Sequence, residues 1–112
     1  MSSEEQALAV FDLGKTNAKL LGFGDRSGQL LFEERTVQRT IVADGLRVLD
    51  HQPLFDWLKA ALTRVSQEHT LGGLMVSTHG CSFALIAGDR LAAPILDYEQ
   101  PMPSEIDRQF AA

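Results

Sequence analysis

Residues 7–23 read ALAVFDLGKTNAKLLGF. The apolar run Ala7 to Asp12 ends abruptly in a carboxylate, Gly14 and Asn17 supply turn chemistry, and Ala18 to Phe23 resumes an extended apolar pattern. Two short apolar runs about a Gly/Asn turn predict a β-hairpin. Asp25-Arg26-Ser27-Gly28 is a second turn, followed by Gln29 to Arg39. There Glu33, Arg35, Val37 and Arg39 fall on one face, and the mostly uncharged Thr36, Gln38 and Thr40 on the other. Three strands joined by two tight turns predict an antiparallel meander.

Downstream the period changes. From Thr40 to Asp50 no pattern persists, and a loop is expected. Asp50 can serve as an N-cap and Pro53 is tolerated in a first helical turn. Leu54, Leu58, Ala61, Leu62 and Val65 recur at helical spacing, with His69 and the Gly72-Gly73 pair read as the helix stop. Leu74 to Ser77 reads as a buried strand, and Ser82 to Ala87 as its hairpin partner after a turn at His79-Gly80. Gly88-Asp89 is another turn, leading to a short strand near Arg90-Leu91. The tail from Pro94 holds three prolines and an acidic cluster, and Ser104 can cap a last helix. Strands that open antiparallel, then a helix, then further strands make a mixed α/β fold, unlike a doubly wound one, which alternates from the start.

Composition narrows the partners. The 112 residues suffice for one compact domain and are too few for two; 45% are hydrophobic and 22% charged, which argues against disorder. Such a domain buries roughly two-thirds of its unfolded surface, so a core forms without disulfides. The net charge of −5 disfavours nucleic acid or an anionic membrane as partner. Cys81 is the only cysteine, no zinc-type array exists, and the opening MSSEEQ is neither a secretory signal nor a cationic targeting helix. No apolar run approaches the ~20 residues of a membrane span. A single cytoplasmic unit in a reducing compartment is expected.

Three constellations carry chemistry. In Asp12-Leu13-Gly14-Lys15-Thr16-Asn17-Ala18-Lys19 a carboxylate ends a buried strand, and a glycine two residues on lets the chain turn with its amides exposed. Such amides form a concave anion site, hydroxyl and amide side chains add donors, and a neighbouring carboxylate suits Mg²⁺, directly or through water. The plainer reading is a hairpin whose Gly14 and Asn17 supply positive φ. Gly14-Lys15-Thr16 is not the end of a P-loop, because the required earlier glycine is Ala9 and a strand follows where a helix is needed. The second constellation is Ser77-Thr78-His79-Gly80-Cys81, at the carboxyl end of a strand, where ligands of α/β sheets gather. His79 and Cys81 are more often a hydrogen-bonded surface residue and a small buried hydrophobe than a thiol catalyst. The third is Asp97-Tyr98-Glu99, two carboxylates at alternate positions of an extended segment, facing one way and able to accept from sugar hydroxyls.

Taken together, VFDLGKTNAKLLGF, LMVSTHGCSFALI and AAPILDYE resemble the opening of the FGGY family of carbohydrate kinases, over roughly residues 7 to 100 and in the right order. The resemblance implies the actin-like ATPase superfamily with a ribonuclease H-like core, and a chain that is the N-terminal part of the first domain, without the second. It implies ATP and Mg²⁺ as cofactors, with Asp12 near the metal, Gly14, Lys15, Thr16 and Asn17 near the phosphates, and Lys19 in the family's basic position. Ser77, Thr78, His79, Gly80 and Asp97 or Glu99 would lie on the sugar side. Lys15 stands where many members have Thr or Ala, and Asp97-Tyr98-Glu99 replaces the commoner Trp-x-Asp. The catalytic base is expected beyond residue 112. The implied reaction is transfer of the γ-phosphoryl group of ATP to a sugar hydroxyl, with no turnover by these 112 residues alone and self-association through faces left exposed. The alternatives are a non-catalytic sugar- or nucleotide-binding module and a thiol enzyme using Cys81 and His79.

Overall fold

The computed structural model describes residues 5–79, 84–97, 99–101, 104 and 108–109. In chain order the elements are β1 (Ala7–Leu13), β2 (Asn17–Gly24), β3 (Leu30–Val37), β4 (Thr40–Ala43), β5 (Leu46–Leu49), α1 (His51–Glu68), β6 (Leu71–Thr78), β7 (Ile86–Ala87) and β8 (Arg90–Leu91). They divide into two compact units, Met1–Arg39 with Asp50–Gly80, and Thr40–Leu49 with Cys81–Ala112. The even composition of the chain gives no sign of this division.

The first unit is a four-stranded sheet of order β3-β2-β1-β6. The β1/β2 and β2/β3 pairs are antiparallel, forming the expected meander, and β6 joins parallel to β1. Alternation along the strands buries Ala7, Ala9 and Phe11 of β1 and Ala18 and Leu20 of β2. Ala9, Phe11, Ala18 and Leu20 form one core with Leu58, Ala61 and Val65 of α1. The apolar stripe read at helical spacing is therefore the face that covers the sheet. Alanines at three of these places let helix and strands approach closely. At the rim, Phe11 meets Trp57 with ring centroids 6.2 Å apart, and Arg64 Nε bonds Glu34 Oε1 at 3.1 Å, tying α1 to β3.

Asp50 occupies the N-cap of α1 but makes no side-chain cap hydrogen bond. The helix ends at Glu68, with the His69 amide bonded to the Val65 carbonyl at 2.9 Å. Gly72 and Gly73, expected to stop the helix, instead lie inside β6. The β1–β6 register passes from Ala7↔Leu71 to Leu8↔Gly73, so Gly72 is the extra residue of a bulge. A Cβ on Gly72 would meet only the flexible Gln6 side chain, whose Oε1 end can swing aside.

Two further expectations are corrected. Thr40 to Asp50 is not a loop: β4 and β5 form a hairpin about Asp44-Gly45, both at positive φ (52° and 76°), the backbone a tight two-residue hairpin turn requires. The strand at residues 82–87 is not seen as the partner of β6. Ile86–Ala87 pairs with Arg90–Leu91 across Gly88-Asp89, and the described neighbour of β6 is β1. Gly88, at φ 65°, supplies the positive φ that a two-residue hairpin turn requires. Residues 80–83 of the expected hairpin, and most of the helix after Ser104, lie outside the described residues. In the second unit, residues 95–97 run antiparallel beside β5. The Leu49 amide bonds the Ile95 carbonyl at 2.7 Å, the Asp97 amide bonds the Arg47 carbonyl at 3.0 Å, and Val48 bridges Leu96.

Two predictions test this packing. Gly22 lies beneath the Phe32 ring, where a Cβ would stand 2.1 Å from Cε2. Gly22→Val should displace the ring and lower stability by about 1–3 kcal/mol in urea unfolding. Glu5 Oε1 accepts the Ser27 and Arg26 amides at 2.8 and 2.9 Å, closing the turn between β2 and β3. Those bonds, the Ser27 amide foremost, hold its carboxyl below the ordinary value of 4.5. A depressed carboxyl stabilises the fold above its unfolded pKa and loses that contribution as pH falls through the folded one. Thermal midpoints should therefore drop on acidification below that ordinary value, and Glu5→Gln should shrink the drop.

Candidate functional site

The site grows from strand register. Asp12 lies opposite Lys19 of β2 and Ser77 of β6, and Lys19 lies opposite Arg35 of β3. Arg35, Lys19, Asp12 and Ser77 thus form one row across the sheet. Phe11 and Leu13 point into the core beneath α1, so alternation turns Asp12 to the other face, where it is half-buried beside the half-buried Lys19. In the next row, Leu13 lies opposite Ala18 and Thr78. On the face of Lys19, a hydrogen bond from Arg35, and then the charge of Lys19, hold the Glu33 carboxyl below its ordinary range.

The turn after β1 is closed by the Gly14 amide, which donates to the Asn17 carbonyl at 2.9 Å. A Cβ on Gly14 would stand 3.0 Å from that same oxygen, and neither Gly14 nor Asn17 has positive φ. The plainer reading of these two residues is therefore corrected: Gly14 is small because the turn closes tightly over it. Its amide is committed to Asn17, and Lys15, Thr16 and Asn17 are the exposed residues of the turn. Asn17 Nδ2 donates to Thr16 Oγ1 at 3.2 Å, and the Thr16 carbonyl accepts the Gln38 amide at 2.9 Å, fastening the turn to the end of β3.

The second constellation meets the first. The His79 amide donates to the Leu13 carbonyl at 3.2 Å, carrying the β1–β6 pairing one residue past β6. Ser77 and Thr78 are exposed, and the Thr78 hydroxyl donates to the His79 carbonyl at 3.3 Å. Asp12, the turn of residues 14–17 and Ser77 to His79 thus gather at the carboxyl ends of two parallel strands, the usual ligand end of such sheets. Gly80 and Cys81, and with Cys81 the thiol alternative, lie outside the described residues.

Asp97 and Glu99 belong to the second unit. Asp97 is 8% exposed, Oδ2 lies 3.6 Å from Arg47 Nη1, and Oδ1 accepts the Glu99 amide at 3.4 Å. The Gln100 amide returns to the Asp97 carbonyl at 2.9 Å. The expected extended pair facing one way is therefore a turn instead, because a buried carboxylate folds its own neighbours around it to satisfy its lone pairs. Tyr98 lies outside the described residues, and Glu99 is exposed. Arg47, which anchors Asp97, is the lone cation of an otherwise apolar strand, LRVL.

Two cavities of the first unit are lined by none of the expected site residues. One of about 310 Å³ is bounded by Thr36, Val37, Arg39, Asp50, Pro53 and Leu54, and one of about 490 Å³ lies between α1 and β6. Among the described residues no group of three or more His, Cys, Asp or Glu could hold a metal. No described helix is long and apolar enough to cross a membrane.

No family model matches the sequence, and no curated protein matches it. Solved structures do. A carbohydrate kinase from Novosphingobium aromaticivorans is 30% identical with a TM-score of 0.89, covering 96% of this chain and 23% of its own. A xylulose kinase from Lactobacillus acidophilus is 18% identical, TM-score 0.65, over 81% of this chain and 19% of its own. A gluconate kinase from the same organism is 16% identical, TM-score 0.67, over 83% and 20%. The latter two identities speak to fold alone. The chain spans less than a quarter of the structures it matches, and those structural neighbours are carbohydrate kinases, as the three sequence motifs led one to expect.

Proposed function

We propose that this chain is the phosphate-gripping, N-terminal part of a cytoplasmic FGGY-type kinase that moves the γ-phosphoryl group of ATP to a sugar hydroxyl. The observation that carries the reading is the row Lys19–Asp12–Ser77, with the turn of residues 14–17 and His79 at the same end of the sheet. Phosphoryl transfer depends on positioning and charge neutralisation more than on covalent chemistry, and this arrangement offers both. Lys15, Thr16 and Asn17 donate to the phosphates from the turn, and Lys19 sets a positive charge beside Asp12.

A half-buried carboxylate, outside any group of three or more His, Cys, Asp or Glu among the described residues, suits Mg²⁺ that arrives with the nucleotide and keeps most of its water and phosphate ligands. When bound, the ion neutralises phosphate charge; Asp12 is the residue that would hold it. Ser77, Thr78 and His79 present hydroxyl and imidazole groups to the sugar. In the second unit by itself, Asp97 and Arg47 hold a turn that displays Glu99, the acid of this pair able to accept from a sugar hydroxyl.

Calorimetric titration of the 112-residue chain with ATP should show Mg²⁺-dependent binding, weakened roughly tenfold or more by Asp12→Asn, equivalent to about 1.4 kcal/mol. Equal affinity in the variant would count against the assignment. Because the resemblance puts the proton acceptor beyond residue 112, the chain alone should release no ADP when ATP and sugar are supplied together. Sugar-dependent ADP release would defeat that expectation.

A further inference from the structure

Lys19 and Arg35 stand directly opposite each other on β2 and β3, and Asp12 is the next residue of the same row. Like charges set opposite each other across a strand pair destabilise a sheet. Glu33 offsets that cost. It lies two residues before Arg35 on the same face, and its Oε2 accepts from Arg35 Nη2. Glu33 is itself opposite Leu21, which sets it diagonal to Lys19, and the charge of Lys19 reaches its carboxyl. Two cations thus share one carboxylate on the side of Lys19 away from Asp12. Beneath α1 the arrangement differs, because Glu34 pairs there with Arg64, one acid to one cation. A local pairing rule broken on one face and kept on the other marks the first as the face where function sets the residues.

We propose, resting on the kinase reading above, that Arg35 is a further polyphosphate-binding residue of that site, and that Glu33 is the counter-ion it exchanges for the ligand. Neighbouring strands lie about 4.8 Å apart, so Arg35 stands about 10 Å from Asp12 along the row. An extended anion such as a nucleotide's polyphosphate, lying along the row, meets Arg35 and Lys19 in turn on its way to Asp12. Arginine suits such a ligand. Its guanidinium keeps its charge at every working pH and carries five donors, and the bond to Glu33 engages Nη2. Glu33 repels the same anion that Arg35 attracts. Binding therefore trades one anionic partner for another at the guanidinium, with Lys19 the neighbour of both.

Calorimetric titration of the 112-residue chain with ATP and Mg²⁺ should give the two substitutions opposite signs. Arg35→Gln should weaken binding roughly fivefold, and Glu33→Gln should tighten it by a similar factor. Both break the same ion pair, so a merely structural role would move affinity the same way in each. Glu34→Gln makes the same charge change one residue on, beneath α1, and should leave the affinity within about twofold. Should Arg35→Gln fail to fold by circular dichroism, the contrast of Glu33→Gln with Glu34→Gln carries the test. Unchanged affinity in folded Arg35→Gln, or equal effects of Glu33→Gln and Glu34→Gln, overturns the role of Arg35 while Asp12→Asn still weakens binding. No binding of ATP by the unmodified chain removes the phosphate grip and the role of Arg35 together.

Discussion

The parallel pairing of β1 with β6 is the constraint on which the rest depends. It brings residues 12 and 77 into one row, although four strands and an 18-residue helix separate them in the chain. The pairing extends past the last ladder position through the His79 amide and the Leu13 carbonyl. Without it, the turn after β1 would be an ordinary hairpin turn, and the polar end of β6 would have nothing beside it. With it, a carboxylate, a lysine, two hydroxyls and an imidazole share one end of a sheet.

Packing beneath the sheet keeps that end in place. Ala9, Ala18 and Ala61 let α1 lie close to β1 and β2, and Phe11, Leu20 and Leu58 fill the space between. The face under the helix is devoted to burial, which leaves the opposite face to Asp12, Lys19, Glu33 and Arg35. The division of labour follows from the period of two along each strand. Gly22 belongs to the same logic, because the Phe32 ring occupies the space of its missing side chain. The Arg64–Glu34 pair sits at the rim, half-open to solvent, where such pairs contribute little, so packing rather than charge holds the helix down.

The second unit is organised around a buried carboxylate. Asp97 gathers the Arg47 guanidinium and the Glu99 amide, and its own amide is bonded to the Arg47 carbonyl. Asp97 is thus absorbed in holding the turn, and Glu99 is the acid left at the surface. The motif read as a like-facing pair is in fact one residue that builds and one that the building displays.

Local patterns in the chain carried much of this. The meander, the apolar stripe of α1, the Gly88-Asp89 turn and the clustering of Asp12 with residues 14–17 are all short-range, set by period, turn chemistry and propensity within a few residues. The β4–β5 hairpin is equally local, its signal the Asp44-Gly45 pair at the turn. What the linear order could not reveal is which distant strands meet. That β6 joins β1, that Gly72 is a bulge, and that Arg47 finds Asp97 all rest on competition among long-range partners. That competition is settled by burial and by the demand that each buried polar group find a match, quantities that exist once the chain has closed on itself.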